Sequence, residues 1–154
     1  MKRLLVPAAA ATAVVFVFAV VNATAGSSRA KAGGSIHVIE HATTDAVTNG
    51  TAGDSAGNIL TFANDVYDAA DAHKVGSDQG YCVRTVVGAA WECNWTTFLP
   101  GGQITVEGPF SDTGDTVVAV TGGTGAYRNA RGSMQLIYHN PAGTEFDFVF
   151  NLVG

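Results

Sequence analysis

From residue 35 onward apolar and polar positions alternate with a period of two, and no stretch repeats with the 3.6-residue period of a helix. The last segment is the clearest case. On a strand from Glu145 to Val153, Phe146, Phe148, Phe150 and Leu152 fall on one side, with Asp147, Val149 and Asn151 on the other. The same alternation puts Ile36, Val38, Glu40 and Ala42 on one face of a first strand, Ser35 to Ala42. Leu60, Phe62, Asn64 and Val66 share a face of a second, Asn58 to Tyr67. The intervening segment, rich in Thr, Asn, Gly and Asp, reads as a loop, and Asp68 to Gly80 as polar and turn-like. Tyr81 to Phe98 predicts a third and a fourth strand around a turn at Gly88. Pro100-Gly101-Gly102 turns into a fifth, Gln103 to Gly108; Thr116 to Thr121 and Ser133 to His139 are the sixth and seventh, and Asn140-Pro-Ala-Gly143 leads to the eighth.

Eight short strands joined mostly by short turns predict an all-β fold, a closed eight-stranded antiparallel β-barrel, because closure removes the unpaired edges. Such a barrel is wide enough for packed side chains or for one small ligand. The corner Gly122-Gly-Thr-Gly125 is expected to carry positive φ at its three glycines, where a Cβ would clash.

The first residues stand apart. Lys2 and Arg3 precede an apolar run from Leu4 to Val21, and Ala23-Thr24-Ala25 offers a small-residue cleavage site, so residues 1–25 read as a secretory signal peptide. An uncleaved membrane anchor is the rival reading, since about eighteen apolar residues approach the length of a spanning helix. Residues 26–34 then form a flexible lead and residues 35–154 the barrel domain of a secreted protein. Without Lys2 and Arg3, six Lys and Arg face thirteen Asp and Glu, a net charge of −7. That balance repels phosphate backbones and argues against a nucleic-acid partner. Cys82 and Cys93, the two cysteines, lie on the two arms of the predicted hairpin; in an exported chain they are expected to be bridged.

The order of motifs resembles the allene oxide cyclase and dirigent superfamily of barrels. Ser35-Ile-His-Val-Ile-Glu40, Thr61-Phe-Ala-Asn-Asp-Val-Tyr67, Lys74 to Cys82, Ile104-Thr-Val-Glu-Gly-Pro-Phe110, the Gly122 corner and Phe146 to Gly154 follow the family's strands in sequence. The resemblance implies a barrel that folds around a small hydrophobic molecule and guides its cyclisation or coupling with no cofactor, and it implies a homotrimer. Carried over, the family's carboxylate falls on Glu40, its oxygen-orienting asparagine on Asn64 and its strand-3 cysteine on Cys82. Ala42 and Phe110 stand where the family has further polar groups, so the acid is kept while much of the oxygen cradle is not.

Two readings of Glu40 are open: an acid facing an apolar lumen, or the partner of a cation, with Arg84 as the candidate. Asn64 either orients a ligand oxygen or holds backbone. Phe62, Phe110, Phe148 and Phe150 are the candidate substrate-lining residues. His37-Val-Ile-Glu-His41 matches a zinc-protease pattern only on paper, because on a strand Glu40 points away from both histidines; no metal site is assigned. The glycine corner leads into a strand and not a helix, which argues against a dinucleotide loop. A non-catalytic carrier of an apolar ligand, or a barrel simply filled by its own side chains, are the alternatives to catalysis.

Overall fold

The computed structural model describes residues 33–153; the expected signal peptide and most of the lead segment lie outside them. The strands are β1 (Gly34–His41), β2 (Ala46–Asn49), β3 (Ile59–Phe62), β4 (Asp65–Asp68), β5 (Lys74–Val86), β6 (Ala90–Leu99), β7 (Gly102–Ser111), β8 (Thr116–Gly123), β9 (Arg131–Tyr138) and β10 (Glu145–Val153). One 3₁₀ turn, Gly125–Tyr127, sits at the glycine corner. All pairings are antiparallel, and the β5–β6 pairing closes the sheet on itself. Among the described residues no helix is long and apolar enough to cross a membrane.

Ten strands make an eight-position barrel because two positions are shared. The expected second strand breaks at Ala63-Asn64 into β3 and β4, yet Asn64 exchanges both backbone bonds with Asp78 (3.1 and 2.9 Å), so the seam with β5 continues. What changes is the other neighbour: β4 pairs with β1, β3 with β2. The segment expected to be a loop therefore contributes β2, which takes over beside β3 after β1 has ended. The segment expected to be turn-like is also partly strand, since β5 begins at Lys74. Its Gly76, Asp78, Gly80 and Cys82 continue one period-two face that the polar composition hides.

Cys82 and Cys93 are directly opposed and form the expected disulfide, with Arg84 opposite Trp91 and Gly88 (φ 68°) in the turn. The glycine corner differs from expectation. Of its three glycines only Gly125 has positive φ, 59°. Gly123 is needed for space instead: a Cβ there would meet the Tyr127 carbonyl and lie 2.8 Å from the Gln103 carbonyl.

Inward side chains fill one end of the barrel. Val38, Val66, Ile104, Val120, Met134 and Phe150 are all almost fully buried there. At the other end Glu40 lies opposite Phe146, Phe146 opposite Tyr138 and Phe110 opposite Trp91, and Tyr138 stacks on Phe110 at 6.2 Å past the end of β8. The apolar core is thus solid below and less tightly closed at the level of Glu40.

Candidate functional site

A narrow cavity opens at that level. Phe62, Trp91, Trp95, Phe110, Phe146 and Phe148 line it with Leu60, Leu136 and the Cys82–Cys93 bridge, and Glu40 and Asp45 supply its acidic groups. The rings meet at angles that hold them in place: Phe110 and Phe146 are edge-to-face at 5.7 Å, Tyr138 and Phe146 at 4.9 Å, and Trp95 is tilted on Phe148 at 5.8 Å. The cavity volume is about 40 Å³. That admits a few non-hydrogen atoms before side chains must shift.

The acidic end is built where both strand breaks coincide. Asn64, at the β3–β4 break, accepts at Oδ1 from the backbone N–H of Thr43 (3.1 Å) and Thr44 (3.0 Å) and from the Thr44 hydroxyl (2.9 Å). Its Nδ2 donates to Glu40 Oε1 at 2.8 Å and to Asp45 Oδ1 at 2.7 Å. Asp78 is buried beside Glu40 and its Oδ2 meets no protein donor, so the two carboxyls are accommodated together by a proton between them. Burial pushes Glu40 up to about 7, against the lowering effect of the bonds from Asn64 and Asp78. Burial, then the charge of Glu40, pushes Asp78 further, to about 10. Asp45 is also raised by burial, with its Asn64 bond opposing. Both carboxyls are raised, so the pair keeps a proton toward neutral pH and titrates as one coupled unit.

The profile of the allene oxide cyclase barrel-like domain matches residues 36–150. The chain belongs to that family. Solved structures with the same barrel include a pyocyanin demethylase (TM-score 0.63, 23% identity, covering 75% of this chain and 99% of that one). A pterocarpan synthase dirigent protein matches at TM-score 0.63 and 15% identity, over 78% of this chain and 87% of its own. AbnU, an exo-specific intermolecular Diels–Alderase, matches at TM-score 0.61 and 19% identity, over 79% and 98%. At these identities the likeness is one of fold.

Within this allene oxide cyclase-like barrel, most of the residues singled out from sequence come together. Glu40, Phe62, Phe110 and Phe148 line the cavity; Asn64 lies behind Glu40 and does not. Phe150 is a correction. It packs edge-to-face on Phe148 at 6.5 Å in the filled end and does not line the cavity. Arg84 is another. It stacks on Trp91 at 3.9 Å and pairs with Asp54 (2.7 Å) and Asp112 (2.6 Å), so it does not neutralise Glu40. His37 turns to Asp147 at 2.6 Å and His41 to Asp71 at 2.8 Å, away from Glu40 as strand parity requires. His41, Asp71 and Glu145 do place one ligand atom each within 4.8 Å of one another.

Asp45, Asp78, Trp91 and Trp95 were not read as site residues. Asp78 sits one inward step before Gly80 and two before Cys82, and that parity was the available signal. Asp45 had none, because it joins the site through the path of a loop. Chemically, the arrangement offers an aromatic-walled cavity whose buried acidic pair can take or return a proton and stabilise positive charge when ionised.

Proposed function

We propose that this protein is an exported, cofactor-free barrel that takes a small hydrophobic molecule into the aromatic cavity and guides its cyclisation or isomerisation. The observation that carries the reading is Glu40: a buried carboxyl on the aromatic cavity, bonded to Asn64 and paired with Asp78, whose proton affinity burial raises. Cyclisation and isomerisation rearrange bonds within one molecule, so the balance needs no oxidant. A proton that Glu40 removes at one atom it returns at another, or its charge steadies a cation passing through the slot. The walls contribute by restricting the fold of the reacting chain. Asn64 is a positioning residue in this scheme, since both its donors are already engaged by protein carboxylates.

Native mass spectrometry of protein purified from its own host tests the reading. A co-purified apolar compound that the wild type converts, and that Glu40→Gln binds but leaves unconverted, supports it. Retention of the compound unchanged by both proteins makes the barrel a carrier, a reading favoured by the absence of a free Asn64 donor. An empty barrel under every condition makes it a structural one. The same spectra give the oligomer mass, for which a homotrimer is expected, and the N-terminus, expected at Gly26; a full-length chain recovered in membranes supports an anchor instead.

A further inference from the structure

The cavity has two tryptophans, and their indole N–H groups differ. Trp91 Nε1 donates to Asp112 Oδ1 at 3.1 Å. Trp95 is 2% exposed, lines the same cavity two inward steps deeper, and its Nε1 has no acceptor. A buried donor is ordinarily paired, and leaving it unpaired among apolar walls is unfavourable. Phe62 and Phe148, the rings packed on Trp95, have no acceptor atoms to offer. Trp95 thus brings to the edge of the cavity a buried donor that no protein atom meets.

We infer that Trp95 Nε1–H is the donor that fixes the ligand in depth, and that the ligand is a neutral cyclic molecule with an acceptor oxygen of the ketone, quinone or ether class at its inner end. The rest of the molecule then lies toward Glu40. An indole N–H rejects an isostere that lacks the oxygen because its own donor is again stranded, whereas apolar walls alone discriminate weakly between the two. Trp95 is thus a specificity residue, separate from the acid. This rests on the reading that the cavity accepts a small apolar ligand.

The test uses the full chain and two probes of one shape, acetophenone and α-methylstyrene, which differ in a carbonyl oxygen against a methylene. In nitrogen–proton correlation spectra the Trp95 indole N–H moves to lower field with acetophenone and not with α-methylstyrene. In titrations the preference for the ketone over the alkene drops about tenfold from wild type to Trp95→Phe, net of the probes' different affinities for water. An indole resonance that responds alike to both probes, or a preference that Trp95→Phe leaves unchanged, overturns the inference while leaving the cavity reading in place. Binding of neither probe overturns both. Should Trp95→Phe fail to fold, the wild-type spectra decide alone.

Discussion

Asn64 and Glu40 meet across the point where the barrel changes neighbours, Asn64 Nδ2 donating to Glu40 Oε1 at 2.8 Å. The orientation of the amide is fixed from the far side. Its oxygen faces two backbone N–H groups, of Thr43 and Thr44, which can only donate, so its nitrogen must face the carboxylates. One side chain thereby closes the loop after β1 and aims Glu40 into the cavity.

Replacing Asn64 with Asp should be severely destabilising at pH 8. The change keeps the volume, but it turns two donated bonds into contacts with Glu40 and Asp45 that repel. A loss of about 3 kcal/mol or more is expected there, in line with an uncompensated buried charge. Urea unfolding at pH 8 and pH 5 checks it: at pH 5 protonation of the cluster should restore much of the difference. Equal losses at both values would mean that shape, not charge, makes Asn64 necessary.

The pH dependence of the wild type has a definite sign. Glu40 rises from 4.5 to about 7 on folding, so between those values the native state binds more protons than the unfolded chain. Stability contributed by this group is complete below 4.5 and is lost as pH rises through 7. Asp78 extends the decline toward higher pH, because it too is raised. Melting temperature should therefore fall from pH 5 to pH 8. Glu40→Gln, whose amide oxygen still accepts from Asn64 and whose nitrogen donates to Asp78, should flatten that slope and match or exceed wild-type stability at pH 8. A marked drop in the melting temperature of Glu40→Gln would identify Glu40 as a structural partner.

The barrel was legible because period two survives on most of its strands, and Glu40 because it interrupts an apolar face without leaving it. The parity of β10 named Phe146, Phe148 and Phe150 as inward but carries no information about depth, so Phe150 was placed in the cavity when it fills the closed end. The pairing of Arg84 with Glu40 failed for a related reason. Both point inward, yet Asp54 and Asp112 reach Arg84 from loops whose paths no strand pattern records. Asp45 was missed because it lies between β1 and β2, where periodicity stops, and Asp78 because the polar residues around it hide the parity it keeps with Gly80 and Cys82 on β5.

Reducing the Cys82–Cys93 bridge should loosen the cavity wall as well as the hairpin, because both cysteines line the cavity. A bridge closing so short a loop stabilises by about 2–3 kcal/mol in the chain-entropy model. The Cys82→Ser, Cys93→Ser double variant should lose that much by urea titration. Free-thiol labelling of unfolded, unreduced wild type should find none; two labelled thiols would contradict the bridge.

Gly80 holds the last test, because it lies directly opposite Trp95 in the β5–β6 register. A Cβ at Gly80 would run into the Trp95 Cβ and the Asn94 carbonyl and sit 2.8 Å from the Trp95 Cα. Those atoms belong to the neighbouring strand or its first side-chain bond, so none can rotate away and the two strands must separate. Gly80→Ala should cost about 3 kcal/mol, at the upper end for overpacked cores, and should broaden or shift the Trp95 indole resonance. Gly122→Ala is the control, since open space surrounds that position and its φ is ordinary. It should change stability by no more than about 0.5 kcal/mol. If Gly80→Ala proves as mild as the control, Trp95 is not held against β5 as the register requires, and the depth assigned to its N–H falls with it.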